Sequence, residues 1–159
     1  EDDFIDNNFT MKDYLIEIIS SFKEISKKNF IFNFDQYSNF KKLTKSIEIV
    51  YGLRNFIGNA NKFCKNTIYI NLKSDSEFTE IIIEDDGNGY PRDVLSKIGE
   101  PYLKSSEDVE KSKIGLGLGL FIGKTLLEKN FASVNCMNSK TRSGAEVVIK
   151  WRNKDLSKI

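Results

Sequence analysis

No histidine occurs in the 159 residues, and only two cysteines, two prolines and one tryptophan do. Without imidazole, neither His-based acid–base catalysis nor His ligation of a metal can arise within the chain. Cys64 and Cys136 are too few for a disulfide framework and lack metal-ligand spacing. Charge of one sign is missing too: 24 Lys and Arg against 23 Asp and Glu leave +1. That balance gives no bulk attraction to nucleic acid or to an anionic membrane. The longest apolar stretches fall far short of the ~20 residues a membrane span needs, and no signal peptide is visible. A soluble, intracellular domain is the expectation. The first residue is Glu1 and not methionine, so the chain reads as a piece of something longer.

What is present suits one domain: 40% hydrophobic and 30% charged residues build a core inside a solvated shell. Residues 1–9 are acidic and aperiodic and read as a linker. From Met11 to about Ile25, Tyr14, Leu15, Ile18, Ile19 and Phe22 recur at helical spacing. Phe30, Phe32 and Phe34 then alternate with Ile31 and Asn33 as in a strand. A second helix is predicted from about Leu43 to Cys64, and two strands near Thr67–Lys73 and Phe78–Glu84. Residues 85–91, DDGNGYP, are rich in turn formers. Residues 92–114 read as a long mobile loop with one helical turn. GLGLGL (115–120) opens a helix to about Lys129, followed by strands near Ser133–Asn138 and Ala145–Trp151 and a tail over 153–159. This order lacks the βαβ alternation of a doubly wound sheet. It predicts an α/β (α+β) two-layer sandwich, a mixed sheet of about five strands with about three helices on one face.

Three features carry chemistry. Glu48, Asn55, Asn59 and Lys62 lie seven, four and three residues apart, hence on one helical face. Amides offer neutral oxygens to a hard cation such as Mg²⁺, and lysine offers a point charge to phosphate; the same stripe also suits a solvated face. Glu84-Asp85-Asp86-Gly87-Asn88-Gly89 follows the apolar run Ile81-Ile82-Ile83. A carboxylate there can accept from an exocyclic amine such as that of adenine, or simply end the strand in a turn. Gly115-Leu116-Gly117-Leu118-Gly119-Leu120 exposes backbone N–H groups at a helix start, which favours phosphate, or allows tight helix packing. It is neither a Rossmann fingerprint nor a Walker A loop. Ser143-Gly144-Ala145, taken alone, is a turn.

Together, in this order, these features resemble the ATP-binding catalytic domain of sensor histidine kinases, within the superfamily shared with gyrase, Hsp90 and MutL. Asn55-Phe-Ile-Gly-Asn59-Ala-Asn-Lys62-Phe63 looks like its N box, Asp85-x-Gly87-x-Gly89 like its G1 box, and Gly115-x-Gly117-x-Gly119 like its G2 box. Ser143-Gly144-Ala145 sits where the family has a last small-residue motif. Ile98-Gly-Glu-Pro-Tyr102 and Gly119–Glu128 further resemble the RegB/PrrB-type redox-responding sensors.

The resemblance implies a Bergerat-type fold with a mobile ATP lid between the G1 and G2 boxes. It implies that Asn59 ligates Mg²⁺, that Asn55 contacts the phosphates or the metal's water, and that Lys62 reaches the phosphate chain. Phe63 would pack beside the base or ribose, and Asp85 would accept from the adenine amine. Gly87 and Gly89 would keep the adjacent turn open, and the segment Gly115, Leu116, Gly117, Leu118, Gly119 would cap the phosphates. Tyr102 and Lys104 fall in the lid, Lys104 as a γ-phosphate contact. Hydrolysing relatives carry a glutamate four residues before the metal-binding asparagine; Asn55 stands there, which implies a kinase. The acceptor histidine would lie on a dimerisation domain upstream of Glu1, with a response regulator downstream in the relay. The isolated domain would be a monomer. A non-catalytic nucleotide-binding module and an ATP-hydrolysing relative are the rival readings. Two departures, Asn88 between the G1 glycines and Ile114 before the G2 box, remove no nucleotide-contacting group.

Overall fold

A computed structural model describes residues 9–98 and 116–159. Its elements are α1 (Met11–Lys23), β1 (Asn29–Phe34), α2 (Ile47–Phe63), β2 (Thr67–Ser74), β3 (Phe78–Asp85), α3 (Arg92–Ile98), α4 (Leu116–Lys129), β4 (Ser133–Asn138), β5 (Ala145–Arg152) and α5 (Asn153–Leu156). The five strands form one mixed sheet in the order β1-β2-β3-β5-β4, with β1 parallel to β2 and the other pairs antiparallel.

Alternation along the strands gives the sheet two unlike faces. Ile68, Ile70, Ile81, Ile83, Val147 and Ile149 are buried on one, while Tyr69, Glu80, Glu84, Glu146 and Lys150 line the other and stay partly exposed. Helices α1, α2 and α4 pack over the buried face, as the two-layer expectation required.

The element starts are set by local and tertiary contacts together. Thr10 and Asp13 form a reciprocal capping box at α1, with Thr10 N–H donating to Asp13 Oδ2 at 2.8 Å and Asp13 N–H to Thr10 Oγ1 at 3.3 Å. Helix α2 starts at Ile47, not near Leu43. Leu43 is buried and its N–H donates to Phe9 O at 2.6 Å, so its backbone is spent on a bridge. Phe9, expected to end a linker, packs edge-on against Tyr14 at 4.7 Å. The cap residue Ser46 makes no side-chain cap bond, and its N–H donates to the Tyr14 hydroxyl at 2.6 Å. Two turns of helix, α3, occupy the first part of the expected loop. Within the expected tail, α5 buries Leu156.

Helices α2 and α4 cross at close range. A methyl group on Gly52 would lie 2.7 Å from Leu127 Cγ, and one on Gly123 2.9 Å from Phe56 Cε2. At the far end of the crossing, Glu48 Oε2 pairs with Lys129 Nζ at 2.9 Å, and Glu48 Oε1 accepts from Asn130 Nδ2 at 3.4 Å. The Asn130 carbonyl accepts from the buried Trp151 Nε1 at 2.9 Å. Glu48 is therefore structural, and the polar stripe of α2 serves two purposes. Gly123→Ala gains about 1 kcal/mol of helix propensity but must separate the helices, which costs about 1–3 kcal/mol. A net loss of stability in urea unfolding is the expected result.

Candidate functional site

The site forms where the C-terminal half of α2 meets the end of β3. Asp85, the last residue of β3, points to the buried face and is 4% exposed. One carboxylate oxygen, Oδ1, accepts from Gly87 N–H at 2.8 Å and from Ala145 N–H at 3.4 Å. Burial pushes its pKa above the usual carboxylate range; the two N–H donors oppose this, and the charge of Asp86 adds to it. Asp86 does the opposite work. Its Oδ1 takes N–H bonds from Lys65 at 2.8 Å, Asn66 at 3.0 Å and Thr67 at 3.2 Å. Burial works against its ionisation, but these donors together outweigh it and lower the pKa. Asp86 therefore fastens the α2–β2 turn, while Asp85 keeps an acceptor edge free.

Close backbone approach explains the glycines around Asp85. A Cβ on Gly144 would lie 2.0 Å from the Asp85 carbonyl oxygen, and one on Gly87 2.3 Å from the Phe63 carbonyl oxygen. Gly89 adopts φ +79°, a conformation that favours glycine, and a Cβ there would lie 2.6 Å from Asn138 Oδ1.

Beside Asp85 lies a cavity of about 210 Å³, lined chiefly by Phe56, Asn59, Phe63, Ile83, Asp85 and Tyr90. Its walls are mostly apolar, with the amides of Asn59 and Asn88 among them, and Asp85 is its acidic group. Of the expected site residues, Asn59, Phe63, Asp85 and Gly89 line it together. The Asn59 Nδ2 is buried and has no hydrogen-bond partner among the described residues. Such an orphaned amide edge fits a ligand, since amide N and O exchange places by a half-turn and the oxygen suits a hard cation. Asn55, one turn earlier, donates from Nδ2 to Tyr51 O at 2.9 Å. Across from both amides is Gly119, where a Cβ would lie 3.7 Å from Asn59 Nδ2 and 3.8 Å from Asn55 Oδ1. Lys62 is exposed, its Nζ 5.4 Å from the Phe63 ring centre. Gly117, Leu118 and Gly119 lie in the first turn of α4, where N–H groups lack intrahelical partners. Tyr102, Lys104 and Gly115, and with them the expected lid, lie outside the described residues, as does the Leu116 side chain.

Phe56, Ala60 and Tyr90 were not among the expected site residues, although all line the cavity. Phe56, Ala60 and Phe63 follow helical spacing and so could have been read as one wall. Neither cysteine offers a ready thiolate. Cys64 is buried, which raises its pKa, and burial pushes the half-buried Cys136 to about 12.

The family described as "Histidine kinase-, DNA gyrase B-, and HSP90-like ATPase" matches residues 44–155. The sensor histidine kinase RegB of Cereibacter sphaeroides is 35% identical over 119 residues, covering 65% of this chain and 26% of RegB. The sensor protein RstB of Escherichia coli is 30% identical over 99 residues, covering 62% of this chain and 23% of RstB. Among solved structures, the catalytic domain of histidine kinase ThkA superposes with TM-score 0.71 at 19% identity, covering 91% of this chain and 95% of that one. The chain belongs to the histidine kinase, gyrase B and Hsp90-like ATPase family, and its fold is that of histidine kinase catalytic domains. Membership implies ATP binding, and RegB, like RstB, is named as a sensor. The chain spans about a quarter of the length of the curated relatives it matches.

Asp85→Asn tests the acceptor and the burial cost at once. The neutral amide still accepts from Gly87 and Ala145, but it turns a donor into the cavity. Nucleotide affinity should fall roughly tenfold or more. A group whose folded pKa is raised favours the fold when protonated, and that contribution fades as pH rises from the unfolded value through the folded one. At neutral pH the variant should therefore melt at or above the wild-type temperature, as followed by circular dichroism. By the same shift, nucleotide affinity in the wild type should start to fall on acidification above the ordinary carboxylate range of about 4.

Proposed function

We propose that this chain is the ATP-binding catalytic domain of a two-component sensor histidine kinase. It binds Mg-ATP and transfers the γ-phosphoryl group to a histidine on a separate dimerisation domain of the same protein. The observation that carries this reading is the pairing, in one cavity, of a buried acceptor carboxylate at Asp85 with an orphaned amide at Asn59.

Asp85 accepts from the adenine amine while Phe56, Phe63 and Ile83 supply an apolar slot for the base. Phosphates then extend toward α4, where free N–H groups at Leu116–Gly119 and the helix dipole favour anions. Asn59 holds Mg²⁺, which when bound offsets phosphate charge. Asn55 contacts the phosphates or the metal's water, and Lys62 swings from the rim onto the phosphate chain. The further contacts this reading includes, Tyr102, Gly115 and Lys104, with Lys104 on the γ-phosphate, lie outside the described residues.

Asn55 cannot act as a base toward water, which favours transfer over hydrolysis. In the transfer, the bond between the γ-phosphorus and the β,γ-bridging oxygen breaks. A phosphorus–nitrogen bond forms to the acceptor imidazole, ADP leaves, and the imidazole proton passes to a base outside this chain. Rate acceleration comes mainly from positioning and charge neutralisation. The chain has no histidine, so the acceptor belongs to another domain. A response regulator receives the phosphoryl group next, in the cytoplasm. Among the described residues no helix is long and apolar enough to cross a membrane.

Mixing the chain with a separately purified helical dimerisation domain bearing its histidine and γ-labelled ATP should yield acid-labile phosphate on that domain. Steady release of free phosphate by the chain alone would instead mark a hydrolase. Asn59→Ala should leave adenosine binding near wild type and lower Mg-ATP affinity roughly tenfold, the order expected for one lost charge-assisted contact. Calorimetry with and without Mg²⁺ checks this, and an equal loss for adenosine would count against the metal role.

A further inference from the structure

The cleft wall facing α2 is formed by residues 88–91, which belong to no strand. Two hydrogen bonds that tie this wall to the sheet come from one side chain, beside the bond that the Tyr90 side chain makes with that of Cys136 in β4. Tyr90 N–H donates to Asn138 Oδ1 at 2.6 Å, and Asn138 Nδ2 donates to Tyr90 O at 3.2 Å. Asparagine carries donor and acceptor on one planar group, so the amide grips the Tyr90 residue as a neighbouring strand would. The same side chain occupies the space that a Cβ at Gly89 would need.

Asn138 is placed for this by the sheet register. It ends β4 opposite Ala145 of β5, and Ala145 N–H bonds the Asp85 carboxylate. One rung of the sheet therefore holds both the acceptor of the cleft and, one strand over, the amide that fixes its opposite wall.

We propose that Asn138 is a positioning residue for nucleotide binding, its side-chain amide holding the Tyr90 backbone and so setting the width of the base cleft. It touches no reacting atom. The inference rests on the nucleotide-binding reading of the cleft. Because Asn138 acts on the base wall, its loss weakens adenosine, ADP and Mg-ATP by one common factor.

The test compares the wild-type chain with Asn138→Ala and Asn138→Asp. Calorimetry measures affinity for adenosine, ADP and Mg-ATP, and NMR measures hydrogen exchange at the Tyr90 amide without ligand. Asn138→Ala should bind all three roughly tenfold more weakly, as expected for losing two hydrogen bonds, and should expose the Tyr90 amide. Asn138→Asp keeps the acceptor and loses the donor, so it should fall between; if the alanine variant does not fold, this variant carries the test. Unchanged adenosine affinity in either folded variant overturns the proposal, as does a loss that grows with the number of phosphates. A Tyr90 amide that exchanges as fast in the wild type as in Asn138→Ala also overturns it. No adenosine binding by the wild type would overturn the nucleotide reading itself, and the Tyr90 exchange, which needs no ligand, tells the two failures apart.

Discussion

A carboxylate buried at the end of an inner strand sets the terms that the surrounding structure has to meet. Asp85 is removed from water, and its oxygen atoms must find donors or lose their charge. Two backbone N–H groups, from Gly87 at 2.8 Å and from Ala145 at 3.4 Å, both reach the one oxygen Oδ1. To bring them there, β5 must start against β3 with no side chain between, which is why Gly144 presses on the Asp85 carbonyl. The G1 turn must likewise fold under the Phe63 carbonyl. The remaining acceptor capacity faces an apolar cavity, where a hydrogen-bond donor is worth more than in water. The protein thus keeps a buried acceptor on an otherwise mostly apolar wall.

The second half of the site depends on the α2–α4 crossing. The amides of Asn55 and Asn59 and the first turn of α4 belong to different helices, and their separation follows from how closely these approach. Gly52 and Gly123 remove the side chains that would hold the helices apart. Glu48, Lys129, Asn130 and Trp151 tie the crossing at the end away from the cleft. Close packing at one end and an anion-favouring helix start at the other come from a single segment. Within the glycine run, Gly119 lies across from the amides of Asn55 and Asn59, while Gly123, beyond the run, packs on α2.

Most of the fold was legible because each strand alternates and each main helix has one apolar face. The sites of failure are contacts made across long sequence distances. The start of α2 is displaced because Leu43 finds Phe9 and Ser46 finds Tyr14, neither of which leaves a local signature. Glu48 looked like part of the functional stripe since helical spacing records direction but not partner. Ser143-Gly144-Ala145 read as a turn, and only the register of β3 with β5 shows that it lies beneath Asp85. Asn138 left no trace at all, because an asparagine at a strand end is an ordinary turn signal. Motif residues on one element were readable; those whose role is to hold a motif were not.

Strand pleating carries the argument one step further. With Asp85 pointing inward, its neighbour Glu84 must point to the open face of the sheet. There it accepts from Ser139 Oγ at 2.8 Å and lies 3.8 Å from Arg142 Nε, while the Arg142 guanidinium stacks 3.5 Å above the Tyr69 ring. Glu146, opposite Glu84 in register, has its pKa raised by burial and by that neighbouring carboxylate. These contacts fix the 139–144 hairpin from outside. From inside, the same hairpin delivers Gly144 and the Ala145 N–H to Asp85. Ser143 at φ 63° is the strained link between the two grips. Two adjacent carboxylates, forced by the pleat onto opposite faces, thereby hold one hairpin in place. The charge pattern of the open face is thus a condition for the geometry of the cleft on the other side.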